Sequence, residues 1–400
     1  MRHRQSIVCL AGGVAVVLSS AAGCGTLPAN SVVAPATIEA LPHRIAALPS
    51  TPVGVAMGQD NRGITVGSNG YSNDTSVWVT DTGGRQWTEV LSVNNLLTTA
   101  YWASRSLQSI WIAGVADRPK PHDPQWFQPI LWHSVNGGRT WTRVLAIVPR
   151  QAGFRTEGIE WTQLVWSAAR FGWAITTDGR VLRTADGGKQ WKLASAFGRH
   201  RIHPIQFVNM EDGWVLGSSS EGVSSFVWIT TDGGRTWHRQ QLPGHIDSLD
   251  FVSPSRGWAA GGVPGHDGRW TRVIWSTTDG GRHWTHHELG TVAFVDQVMA
   301  GVTAASARVL WATSDGSVNS PPPWMVNQPL AGHLWVSQNG GQTWHELRIP
   351  ATVGAVSLPQ FAGPAHGWFP ALAARGTPLP SEYLYRWQAL EKRWVPVQGT

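Results

Sequence analysis

One eleven-residue run sets the terms for the whole chain: Val227-Trp228-Ile229-Thr230-Thr231-Asp232-Gly233-Gly234-Arg235-Thr236-Trp237. Its relatives end at Trp87, Trp141, Trp191, Trp284 and Trp344, and the intervals along the series of final tryptophans are 54, 50, 46, 47 and 60 residues. A unit of that length cannot bury its own apolar face, so it must stack on its neighbours, and its span is that of a four-stranded propeller blade.

A second signal precedes each turn, a Gly-Trp or apolar-Trp pair at Trp111, Trp173, Trp214, Trp258, Trp311 and Trp368, with Ile64 in the first copy. Seven residues before that slot stands Met57, Trp166, Phe207, Phe251 or Phe361 in five copies. One repeat therefore reads as strand A, turn, Gly-Trp strand B, variable loop, strand C, Asp-Gly-Gly turn and strand D. The seventh copy keeps Trp368 and Trp394 but has Ala389-Leu390-Glu391 where the others have the Gly-Gly turn. The expected fold is all-β, a seven-bladed β-propeller of four-stranded antiparallel blades over residues 51–400.

The turn has a physical reason. Paired glycines supply the positive φ angles of a tight hairpin, and a side-chain acceptor can bind the turn's own N–H groups. Asp186, Asp232 and Asp279 fit this role, Asn136 and Asn339 can make the same contacts, and Thr82 departs from it, with Asp81 displaced by one. These carboxylates are expected to be structural, which leaves them out of catalysis and metal binding.

This turn is similar to the Asp box, or BNR repeat, of sialidases and related propellers. The spacing of Gly-Trp strand and final Trp resembles most the photosystem II stability/assembly factor family. That resemblance covers residues 51–400 and implies a propeller that binds a protein or envelope component as an assembly scaffold. The alternative it leaves open is a sialidase-like or other glycoside hydrolase acting on envelope or extracellular glycans. Sialidases carry an Arg-Ile-Pro element before the first box; here Arg348-Ile349-Pro350 follows the sixth. A tyrosine nucleophile has no recognisable setting at Tyr71, Tyr101, Tyr383 or Tyr385, and sequence alone cannot pair loop carboxylates such as Asp178 and Asp267.

Residues 1–23 read as an export signal, with Arg2 and Arg4 before an apolar run from Ile7 to Leu18 that is too short for an ordinary membrane span. It ends in Ala21-Ala22-Gly23-Cys24, which resembles a lipoprotein lipobox with Ala21 where Leu is usual. The other cysteine, Cys9, lies inside the leader, so Cys24 is the expected lipidation site. Residues 24–50, rich in Pro and Ala, read as a tether whose extended reach is at most about 80 Å. The expected location is the extracytoplasmic face of the cell membrane, with secretion as the alternative.

Antiparallel connectivity puts the A-to-B and C-to-D turns at one end of the ring and the B-to-C loops at the other. The B-to-C insertions carry Trp126 with His122, Trp270 with His266 and Asp267, and Trp324, which are the candidate binding residues on that face. The Gly-Gly face carries Arg62, Arg85, Arg139, Arg170, Lys189, Arg235, Arg256, Arg282 and Arg308, a candidate basic ring for an anionic lipid surface or an acidic partner. Without Arg2 and Arg4 the chain has 29 basic against 25 acidic residues, too little for nucleic acid. No metal or phosphate motif is present, no cofactor is expected, and the chain is expected to be a monomer.

Overall fold

The computed structural model describes residues 37–38 and 51–397, apart from 59, 69–73, 95, 105, 117–129, 146–160, 198–200, 219–224, 294–298, 300, 315–331, 351–352, 357, 362–365, 374–381 and 389–391. Among the described residues every regular element is a strand. Six four-stranded antiparallel sheets cover 51–93, 96–145, 161–196, 201–242, 245–292 and 301–347, and a seventh covers 353–396. These are blades 1 to 7, each with strands in the order A-B-C-D from the centre outward. Each strand A approaches the next blade, and the first strand of blade 1 meets blade 7, so the ring closes.

The core is distributed. Seven hydrophobic clusters form among the described residues, and each is built from two adjacent blades. The strand B tryptophans make these junctions. Trp111 stacks on Trp166 of the next blade at 4.1 Å, Trp173 on Phe207 at 3.6 Å, and Trp214 on Phe251 at 3.7 Å. Each strand A aromatic then meets the final Trp of its own blade edge-on, as Phe207 does Trp237 and Phe251 does Trp284. Offset stacking joined to an edge contact is the favoured geometry for aromatic clusters.

The Gly-Trp pair follows from this packing. A Cβ on Gly257 would lie 2.3 Å from the Phe251 ring, and one on Gly172 would lie 2.6 Å from Trp166. A side chain is therefore allowed before the strand B Trp only where the strand A slot is small. Both copies that lack the glycine obey this: Ile110 is seven residues along from Ala103 and shares its blade with Ser104, and Leu310 is matched by Ala304. Leu310 packs with Trp258 and Ala304, in the room that an aromatic ring takes at other junctions.

Side chains also bridge strands that share no ladder. Gln163 donates to the Ile205 carbonyl at 3.1 Å and accepts from its N–H at 2.7 Å, and Gln206 does the same for Phe251 at 2.9 and 2.7 Å. Ser248 repeats the pattern on Val302, while Asp250 accepts from the Ala304 N–H at 2.6 Å. Strand A is the inner edge of its sheet, so these groups satisfy backbone that would otherwise be unpaired.

Blade 7 differs from the rest. Within the segment read as a tether, Thr37–Ile38 pairs in parallel with Arg393–Trp394 and adds a strand to the outer edge. The Trp311 and Trp368 indole N–H groups, on either side of blade 7, are buried without a hydrogen-bond partner. In blades 3, 4 and 5 this donor reaches the next blade's Gly-Gly turn, Trp173 to Gly233, Trp214 to Gly280 and Trp258 to Gly340.

Candidate functional site

The Gly-Gly turns occupy one end of the ring, each stapled twice. Its first glycine N–H donates to the A-to-B turn of the same blade, as Gly187 does to Arg170 and Gly233 to Glu211. Its acceptor side chain then gathers the turn's remaining donors. Asp232 Oδ1 accepts from the N–H groups of Arg235 and Thr236 at 2.8 and 2.9 Å, and Thr230 donates to it at 2.8 Å. Asp186 and Asp279 are bonded in the same way by Lys189 and Gln190, and by Arg282 and His283. Asn136 and Asn339 accept from the Thr140 and Thr343 N–H groups. In blade 1 the Thr82 hydroxyl replaces the carboxylate and accepts from the Gln86 N–H at 2.9 Å, while Asp81 is exposed.

These bonds settle the protonation of the three aspartates. Burial opposes ionisation of Asp232, but donors from Thr236, Thr230 and Arg235 outweigh it and hold the carboxyl down at about 2. Asp186 is also lowered: burial opposes it, and the N–H of Gln190 leads the groups that overcome it. Asp279 is lowered chiefly by the His283 N–H and ring. None of the three holds a proton near neutrality to act as a general acid.

The nine cations named above all lie on this end, joined by Lys392; Arg62 and Lys392 are half-buried and the other eight are exposed. Arg62 is paired with Asp60 at 2.6 Å. Arg235 and Arg282 turn back to donate to the carbonyls of Asp232 and Asp279. The same end carries Asp60, Asp81, Asp186, Glu211, Asp212, Asp232 and Asp279, so the rim is mixed in sign. Sequence reading counted the cations and left these carboxylates out.

At the opposite end, His122, Trp126 and Trp324 lie outside the described residues. Trp270 is the first residue of strand C in blade 5, paired with Pro264 and packed half-buried on the cluster of Trp258, Ile274 and Trp335. The expected insertion is there a longer hairpin closed by residues 265–269, in which Asp267 accepts from the Arg269 N–H and His266 is exposed. Asp178 accepts from Thr176 at 2.6 Å and pairs with Arg180 at 3.0 Å. Tyr101 is buried with its hydroxyl on the Val55 carbonyl, and burial pushes its ionisation up, away from nucleophile chemistry. Arg348 is exposed after strand D of blade 6. Among the described residues no three His, Cys, Asp or Glu side chains gather to hold a metal.

Two features escaped sequence reading. His133 stacks on Trp111 at 3.8 Å opposite Trp166, bonds Ser109, and is held neutral by burial, which lowers it to about 4. Its slot faces the strand B Trp across the ladder and holds Arg183, Ile229, Ser276 or Val336 in other blades, so the register could have located it. The second is the buried Arg272, which lies over the Trp335 ring at 5.4 Å and is opposed by Glu346, itself bonded to His333.

No protein-family model and no curated protein matches this chain. Solved structures do. YCF48 bound to D1 peptide matches at 18% identity over 89% of this chain and 98% of its own, with a TM-score of 0.56. This chain has the fold of YCF48. YCF48 from Cyanidioschyzon merolae agrees at 16% identity, 86% and 98% coverage and a TM-score of 0.57. The GH74 xyloglucanase from Xanthomonas campestris matches at 14% identity over 89% of this chain, with a TM-score of 0.55, but this chain spans only 56% of that enzyme. YCF48 and the xyloglucanase thus share a scaffold with this chain at identities that speak of fold alone.

Proposed function

We propose that this chain is a non-catalytic propeller that binds a protein and serves as an assembly scaffold, held on the extracytoplasmic face by a lipid on Cys24. Its Gly-Gly turns are read as Asp boxes of the BNR type. The observation that carries the proposal is the use made of five of its described turn carboxylates: Asp178, Asp186, Asp232, Asp267 and Asp279 each accept hydrogen bonds within their own turns. A propeller whose acids serve as turn staples has a rigid surface to offer, and YCF48, with the same fold, is known bound to a peptide.

The likeness to a xyloglucanase favours one second reading, a glycoside hydrolase. Such an enzyme needs two facing carboxyl groups. The test is a crosslinking capture from membranes run beside a panel of chromogenic glycosides and xyloglucan. Recovery of one saturable protein partner without turnover supports the scaffold. Turnover abolished by a single carboxylate substitution overturns it in favour of the hydrolase.

A further inference from the structure

Among the described residues only three large apolar side chains are exposed: Val135 at 68%, Met210 at 50% and Phe171 at 37%. Single exposed apolar residues are ordinary, but these three share one address. Val135 is in the Gly-Gly turn of blade 2, Phe171 begins strand B of blade 3 beside its A-to-B turn, and Met210 is in the A-to-B turn of blade 4. All three therefore project from the same end of three consecutive blades. Exposed Arg139, Arg170, Lys189 and Arg235 stand among them. Four carboxylates match these cations in number but differ in exposure: Asp186 and Asp232 are ionised yet half-buried in their turns, Asp212 is half-buried and accepts from Asn209 at 2.8 Å, and Glu211 is exposed.

The N-terminal strand independently marks the same end. Strand D of blade 7 runs away from its C-to-D turn, and Thr37 lies beside Arg393, the first residue of that strand, in parallel. The chain therefore enters Thr37 from the Gly-Gly end. Twelve residues separate Cys24 from Thr37, so Cys24 stays within about 45 Å of that end even at full extension.

We propose that the Gly-Gly face of blades 2 to 4 docks on an anionic lipid bilayer, with Val135, Phe171 and Met210 entering the interface and Arg139, Arg170, Lys189 and Arg235 among the headgroups. Apolar side chains combined with cations form the pattern that holds a protein flat on a membrane surface. With a lipid at blade 7, the ring is held at two opposite points and its B-to-C loops face away from the membrane toward a partner. That orientation rests on the Cys24 reading; the docking surface does not.

The test uses the full chain with Cys9→Ser and Cys24→Ser, which removes both cysteines and the lipid site together. It is sedimented with phosphatidylcholine vesicles and with phosphatidylcholine–phosphatidylglycerol vesicles. Binding is expected to the mixed vesicles, with at least about a tenfold loss of affinity in Val135→Ser/Phe171→Ser/Met210→Ser, since transfer of the exposed apolar surface of the three together is worth at least that much. A dye on Met210→Cys is expected to be quenched by spin-labelled lipid, and one on His266→Cys, at the other end, to stay bright. Absence of binding, an unchanged triple variant, or equal quenching at both positions overturns the proposal. The mass of the N-terminal peptide from the wild-type membrane-extracted chain tests the lipid separately; an unmodified Cys24 alongside intact docking rejects the anchor and leaves the surface supported.

Discussion

Exchanging the filler at one blade junction should reproduce another. At the junction of blades 4 and 5 the space over Trp214 is filled by Phe251, with Gly257 beneath it; at the next junction the pair is Ala304 and Leu310 around Trp258. Gly257→Leu alone sets a Cβ 2.3 Å from the Phe251 ring and should cost about 1–3 kcal/mol or more through overpacking. Phe251→Ala alone empties a buried aromatic site and should cost about 3–5 kcal/mol. Together they imitate blade 6, because the leucine enters the space that the ring vacates. A double-mutant cycle by urea unfolding, followed by tryptophan fluorescence, should return a favourable coupling of about 2 kcal/mol. Additivity within about 0.5 kcal/mol would refute the idea that these two slots share one volume.

Trp214→Phe strands the Gly280 carbonyl, whereas Trp311→Phe removes a donor that has no partner, so by calorimetry the first should be the more destabilising by about 1–3 kcal/mol. Gln206→Ala leaves the Phe251 N–H and carbonyl unpaired and should cost about 1–3 kcal/mol for each, with faster exchange of the Phe251 amide as the site-specific readout. The Asp232 carboxyl is lowered by folding, so its stabilisation is complete above about pH 4 and is lost as pH falls toward about 2; the acid limb should flatten in Asp232→Asn, and an unchanged limb would contradict this. His133 is lowered too, but as a base: the folded state favours its neutral form. Its contribution is therefore present above about pH 6.5 and is lost on acidification toward about 4, and His133→Phe should remove that slope.

The ring was legible because each blade repeats one solution to one problem. The Trp spacing gave the number of blades, and the Gly-Gly turns placed two kinds of connection at one end. What stayed hidden was pairing without periodicity. Thr37–Ile38 contributes two residues to a parallel edge, too few for any alternation to register. Gln163 and Gln206 look like interruptions in apolar strands until the neighbouring inner strand appears beside them. On the candidate surfaces, counting arginines missed the acids across the same rim. Trp270, read as a loop residue, lies in an extended hairpin because strands B and C of blade 5 simply run longer. Met210, flanked by Asn209 and Glu211, was a signal available to the eye: an apolar residue in a polar turn has no blade to pack against.

In a chain held at its N-terminus, tension arrives at Thr37 before it reaches any blade. The pull runs along the strand axis, so it shears Thr37–Ile38 past Arg393–Trp394, and only two residues resist. This pairing is the weakest link in the mechanical path and should yield while the ring stays whole. With the proposed lipid on Cys24, release would lengthen the leash from about 45 to about 95 Å at full extension, turning a propeller held close into one free to search.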